Sequence, residues 1–132
     1  MQVLELNGKI KIYYHKTWEI VHIVKGVCDL IITMNVTRSL AKKLIDKKIT
    51  KVYFVSCSKD LLDIAKERFF LGSSHLKLYR TDSKVYISTA NLSLSNWDEI
   101  TIELDRNEKI DTFIREIENN LRVKNDYIRH FW

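Results

Sequence analysis

Apolar and polar positions change period along the chain, and the changes mark its elements. Val3–Leu6 and Lys9–Tyr14 flank Asn7-Gly8, a dipeptide that takes positive φ at both central turn positions, so the chain is predicted to open with a β-hairpin. Thr17 is placed to cap a short helix ending near Gly26, where glycine can adopt a left-handed exit conformation. Leu30–Met34 reads as a buried strand. A helix follows over about residues 38–48, with Leu40, Ala41, Leu44 and Ile45 at helical spacing. Lys51–Cys57 is a second apolar strand, and Ser58 is an N-cap for a helix over about 59–69 with Leu61, Leu62, Ala65 and Phe69 inward.

The second half carries more strand. Leu76–Arg80 and Lys84–Ser88 are predicted strands joined by a tight Thr81-Asp82-Ser83 turn, and Ile100–Leu104 is another. Ile110, Phe113, Ile114, Ile117 and Leu121 mark an amphipathic closing helix, which the segment Asp126–Trp132 extends or follows with a docked aromatic end. The fold class is therefore α/β, a mixed β-sheet flanked by helices. With no proline, three glycines and no repeat, nothing divides residues 1–132 into more than one domain.

Composition narrows the function classes. No apolar run approaches bilayer length, which predicts no membrane partner, and the opening MQVLELNGKIKIYY lacks the order of a secretory signal, which predicts a cytoplasmic protein. Cys28 and Cys57 lie far apart in apolar stretches and read as two reduced, buried thiols. The net charge of +5 is uneven: residues 1–60 hold eleven Lys and Arg against five Asp and Glu, or +6. Such a half suits a polyanionic partner, although Lys42, Lys43, Lys47 and Lys48 serve equally to solvate a helix face.

The chemistry gathers around residue 75. In a strand reading HLKLY, His75 and Lys77 share one face while Leu76 and Leu78 take the other. An imidazole beside an ammonium is a poor structural pair, because each positive form disfavours the other, whereas a phosphodiester is attracted to both. Ser88-Thr89-Ala90-Asn91 then offers neutral hydrogen-bonding groups for phosphate oxygens, and Glu99 a carboxylate to orient His75. His15, His22 and His130 lack ligand-spaced partners and read as surface or satisfied core histidines, with no metal site expected. Trp18, Trp97 and Trp132 can stack on bases but are expected to serve packing first, Trp97 lying nearest the site in sequence.

HLKLYRTD (75–82) resembles the H-x-K-x4-D core of the phospholipase D superfamily, SKVYISTAN resembles the strand leading into its G-S-x-N, and WDEITIEL its later glutamate-and-strand segment. The resemblance covers roughly residues 17–132 and leaves 1–15 as an extra N-terminal hairpin. Ser88-Thr89 stands where the family has Gly-Ser. The interval from Asp82 to Asn91 is one residue shorter than usual, which reverses the face of later side chains unless a bulge or the turn absorbs it. The resemblance implies a phospholipase D-like fold and a metal-independent phosphodiesterase that needs no cofactor. Its nucleophile is His75, with Lys77 and Asn91 holding phosphate oxygens, Ser88 and Thr89 assisting, Glu99 orienting His75 and Asp82 shaping its turn. One motif per chain implies a homodimer in which His75 of the partner subunit is the general acid and base. Small size and the basic half favour a nuclease acting on DNA or RNA. The alternatives are a catalytically impaired module that binds nucleic acid or protein, and a phospholipid phosphodiesterase.

Overall fold

The computed structural model describes residues 1–45, 51–57, 67–70 and 75–129. They form an α/β fold around one mixed sheet. Its strands are β1 (Gln2–Leu6), β2 (Ile10–Lys16), β3 (Leu30–Val36), β4 (Lys51–Cys57), β5 (Glu67–Phe70), β6 (Leu78–Arg80), β7 (Lys84–Ser88) and β8 (Asp98–Asp105). Among the described residues the order is β1-β2-β8-β7-β6-β3-β4-β5. Only β3–β4 and β4–β5 pair in parallel; every other ladder is antiparallel. The helices are α1 (Ile20–Ile23), entered through a 3-10 turn at Thr17–Glu19, α2 (Arg38–Leu44) and α3 (Glu108–Arg129). Among the described residues no helix is long and apolar enough to cross a membrane.

The hairpin forms as its turn residues dictate, with Asn7 at φ 54° and Gly8 at φ 66°. It extends the main sheet, because β2 pairs with β8 along its whole length from Ile10↔Leu104 to Lys16↔Asp98. β3 is buried from Leu30 to Thr33, as expected of a strand covered on both faces. On one face Ile31, Val52, Tyr79 and Tyr86 pack under α1 and α2 through Ile20, Ile23, Leu40 and Leu44. On the other, Ile114 and Leu121 of α3 reach Leu30, Ile32, Tyr53, Leu78 and Val85. Each fully buried aliphatic side chain contributes about 1.5–3 kcal/mol, which makes Ile114 and Leu121 anchors of α3, with Ile110 and Ile117 partly buried beside them.

Five expectations are corrected. Thr17 does not cap α1: it lies inside the first turn, where the Glu19 carboxylate accepts from the Lys16 N–H at 2.9 Å, while its hydroxyl turns toward Trp97 and Glu99. α2 stops at Leu44, because Ile45 is extended (φ −104°, ψ 130°) and bridges to Cys28; residues 46–50 lie outside the described residues. The proposed helix over 59–69 with its Ser58 cap falls outside them as far as residue 66, but Glu67–Phe70 is a strand parallel to β4. There Glu67 is in register with Lys51, and two consecutive aromatics suit an extended backbone. Phe113 is 63% exposed on the flank of α3, since Ile110, Ile114, Ile117 and Leu121 already complete the narrow stripe that meets the sheet. β6 begins at Leu78 rather than Leu76, although the Ser88 N–H still donates to the Lys77 carbonyl at 3.1 Å.

Cys28 is buried, and burial pushes its thiol up to about 12. Alkylation of Cys28 by iodoacetamide at pH 8, followed by peptide mass mapping, is therefore expected to be at least about 100-fold slower in the native protein than in urea. A native rate equal to the unfolded one would contradict this burial. The side chain of Cys57 and residues 130–132, with His130 and Trp132, lie outside what is described.

Candidate active site

The sheet brings the sequence-predicted residues to one pole, except Asp82, which was expected near the site but lies at the opposite pole because it follows the far end of β6. At the shared pole the C-terminal ends of β3 and β7 meet the N-terminal ends of β6 and β8, so Asn35, Lys77, Ser88 and Glu99 all lie at the same edge. The Thr89 N–H still donates to the Ile100 carbonyl at 3.0 Å; past it the chain leaves the ladder, and the Ala90 N–H turns back to donate to Ser88 Oγ at 2.8 Å. Leu92 then bridges to Val36, and its carbonyl accepts from the Thr37 N–H at 2.7 Å. Tyr79 Oη donates to the Ala90 carbonyl at 2.7 Å, pinning the segment from below. Through this bend Asn91 arrives at the end of β3.

Asn91 is the best-determined side chain of the group. Its Oδ1 accepts from Thr33 Oγ1 at 3.0 Å and from the N–H groups of Met34 and Asn35 at 3.1 Å each. A backbone N–H can only donate, so the atom facing both must be the oxygen, and the amide cannot be flipped. The Nδ2 amide group therefore points the other way, and it has no hydrogen bond to a described residue. Lys77, half-buried, comes to the same stretch of β3, its Nζ lying 3.9 Å from Met34 Sδ. His75, two residues earlier, is exposed, and its imidazole has no hydrogen bond to a described residue.

The other candidates are held within the chain. Thr89 Oγ1 donates to Glu99 Oε2 at 2.9 Å and accepts from the Ile100 N–H at 3.0 Å, standing in for a ladder carbonyl. The other Glu99 oxygen, Oε1, accepts from Thr17 Oγ1 at 3.4 Å. Glu99 thus braces Thr89 and Thr17, not His75. Ser88 Oγ lies 2.7 Å from Thr101 Oγ1, which is itself 2.7 Å from His15 Nε2. His15 Nδ1 meets the Lys16 carbonyl at 2.7 Å and must donate to it, so Nε2 accepts from Thr101 and Ser88 donates to Thr101. Both hydroxyls proposed for phosphate binding are therefore already engaged. His15 is the satisfied core histidine that was expected, and His22 is exposed beside Trp18.

The chain matches no family model, no curated protein and no solved structure. Its site rests on its own geometry. Asp82 is exposed in the turn at the far end of β6, roughly 20 Å of extended chain from His75. Thr81 makes that turn's hydrogen bonds, its N–H donating to the Lys84 carbonyl and its Oγ1 accepting from the Lys84 N–H. That opposite pole also holds a cavity of about 390 Å³ lined by Lys51, Arg80, Arg106, Asp111, Arg115 and Glu118. Its charges are largely paired internally: Arg80 and Arg106 bind Asp29, and Arg106 also binds Asp111. Among the described residues no three His, Cys, Asp or Glu side chains are grouped to hold a metal ion.

Sequence reasoning overlooked Thr33, Tyr79 and Thr101. Tyr79 carried a signal, being two residues beyond Lys77 and hence on the same strand face; burial raises its phenol above the ordinary range and keeps it a donor. Trp97 is 73% exposed and Trp18 41% exposed, so neither is a core residue of the single chain. Their loop is fixed, with the Thr17 N–H donating to the Trp97 carbonyl at 3.1 Å and the Trp97 N–H to Thr17 Oγ1 at 3.2 Å.

Proposed function

We propose that this chain is a metal-independent phosphodiesterase with a phospholipase D-like fold, a nuclease acting on DNA or RNA as a cytoplasmic homodimer. The observation that carries the reading is the Asn91 amide, oriented by two backbone N–H groups so that its donors face outward from the same segment that Lys77 Nζ approaches. A fixed neutral donor and an ammonium that both come to the end of β3, with an exposed imidazole two residues before the lysine, suit a phosphodiester: preorganised donors stabilise the charge that grows on nonbridging oxygens as phosphorus becomes five-coordinate.

In the proposed path an imidazole nitrogen of His75 forms a bond to phosphorus as the phosphorus–oxygen bond to the leaving group breaks. The leaving oxygen takes its proton from His75 of the partner subunit. Water then attacks the phosphohistidine, gives its proton to that second imidazole, and the phosphorus–nitrogen bond breaks. Atoms and protons balance without a metal or another cofactor. The test is cleavage of single- and double-stranded DNA and RNA by the purified protein in excess EDTA. Cleavage at a rate proportional to dimer concentration is expected; absence of any cleavage would overturn the reading.

A noncatalytic nucleic-acid-binding module is the second reading, favoured by the internal engagement of Ser88, Thr89 and Glu99. Tight binding without turnover, unchanged by His75→Ala, would identify it.

A further inference from the structure

β2 and β8 alternate in the opposite sense to a strand pair that buries its apolar side. Their polar residues point inward beneath α1, where Tyr13 Oη donates to Glu103 Oε1 at 2.9 Å and His15 meets Thr101. All four of these side chains are buried. Their apolar residues, with those of β1, point to the other face. Leu4, Ile12, Ile102 and Ile87 stand in one row across four strands, and Leu6, Ile10 and Leu104 form the next. Among the described residues, α3 packs on this side of the sheet as far as Val85 of β7. Leu4, Leu6, Ile10, Tyr14, Ile87 and Ile100 are consequently 36–55% exposed.

The face is uniform. Lys16 and Asp98 stand at its rim in register with each other and form an ion pair at 2.7 Å, so no uncompensated charge there calls for a charged partner. Strand alternation puts the apolar set on whichever side is to be buried, and a contiguous bare patch of this kind marks an interaction surface.

We propose that this face is the contact between two copies of the chain, packed sheet on sheet about a two-fold axis. The contact lies on the sheet face opposite the one that Lys77 shares with Tyr79, so it does not bring two His75 imidazoles together; it is separate from the shared-site contact of the reading above and holds equally for a noncatalytic protein. Four strands about 4.8 Å apart and about five residues of about 3.4 Å rise give a flat footprint of about 330 Å². Half-exposed branched and aromatic side chains present on the order of twice that as accessible surface, so two copies bury on the order of 1,200 Å², the lower bound for a stable specific interface. An unbroken aliphatic face is complementary to itself, as a two-fold contact requires, and two such sheets pack about 10 Å apart with side chains interleaved.

Sedimentation equilibrium of the full chain tests it. The wild type is expected to self-associate at micromolar concentration. Leu4→Glu and Ile10→Glu should each raise the dimer dissociation constant at least about 100-fold, since each variant brings two carboxylates into a dry contact. Val3→Glu, on the next residue but the opposite face and 53% exposed, should leave it within about twofold. All three positions are on the surface of the single chain, so far-UV circular dichroism should be unchanged. A monomeric wild type, or a self-association that both face variants leave unchanged, would overturn the proposal. So would Val3→Glu dissociating the dimer as strongly as Leu4→Glu, which would mark pairing along the β1 edge. A dimer that responds as expected but cleaves no nucleic acid would leave this interface standing while removing the nuclease reading.

Discussion

Replacing His75 by alanine is expected to lower cleavage by at least about 10⁴-fold while changing unfolding free energy by no more than about 0.5 kcal/mol. The two halves of that expectation have separate grounds. The imidazole is exposed and makes no hydrogen bond to a described residue, so its removal opens no cavity and strands no buried partner. In the proposed path, however, each catalytic event uses the residue twice, as nucleophile in one subunit and as acid and base in the other. General acid catalysis alone is worth about 10²–10⁴-fold, and loss of the nucleophile removes the covalent step altogether. Mixed dimers sharpen the test, since one wild-type and one His75→Ala subunit supply either a nucleophile or an acid but not both. Such heterodimers should cleave no faster than the doubly substituted dimer. If they retain half the wild-type rate, each subunit works alone and the shared-site mechanism fails. A urea titration read beside the kinetics shows whether folding was disturbed.

Part of this arrangement was legible in the chain. Local signals set most elements: Asn7-Gly8 the hairpin, the alternation in Lys84–Ser88 a strand with those bounds, the spacing of Ile110, Ile114, Ile117 and Leu121 the closing helix. Where a segment's state depends on what it pairs with, those signals gave the wrong answer. Ile45 continues a helical stripe in sequence but is drawn into a bridge with Cys28, and Glu67–Phe70 shows the apolar pair of a helix face yet pairs with β4. Strand order is also a matter of long-range pairing. Nothing in the spacing of β6, β7 and β8 says that β3 will lie on the far side of β6, and it is β3 that supplies Thr33, Met34 and Asn35 to Asn91.

The same limit applies to the site. That Lys77, Ser88, Thr89, Asn91 and Glu99 come to one end of the sheet could be expected from residue types and intervals. Which of them keep a functional group available could not, because hydroxyls and carboxylates find partners across strands. Thr101, the residue of β8 in register with Ser88, occupies the Ser88 hydroxyl, and Thr17, from the turn after β2, takes an oxygen of Glu99. The apolar face of β1, β2 and β8 was not read from the sequence, because a strand's alternation does not say which side a helix will cover.

Asn91→Asp is expected to abolish cleavage while leaving the fold in place, and the contrast with Asn91→Ala shows why. The Asn91 side chain has two ends with different duties. Its oxygen holds the end of β3 through Thr33, Met34 and Asn35, and aspartate keeps an oxygen there; an ionised carboxylate accepts backbone N–H groups at least as well as an amide does. Unfolding free energy should therefore stay within about 1 kcal/mol of wild type. At the other end the substitution exchanges two donors for a negative oxygen beside the anion that Lys77 is proposed to bind. Removing one preorganised donor from a developing oxyanion costs about 2.7–4 kcal/mol, and like-charge repulsion adds to it, so the cleavage rate should fall by at least about 10³-fold. Asn91→Ala removes both ends at once. It leaves the Met34 and Asn35 N–H groups without their acceptor and should lower stability by about 1–3 kcal/mol as well as activity. Urea titrations and cleavage rates on the three proteins separate the roles: an Asn91→Asp protein that cleaves at the wild-type rate would show that the amide donors take no part, and one that unfolds as easily as Asn91→Ala would show that the oxygen does not hold β3.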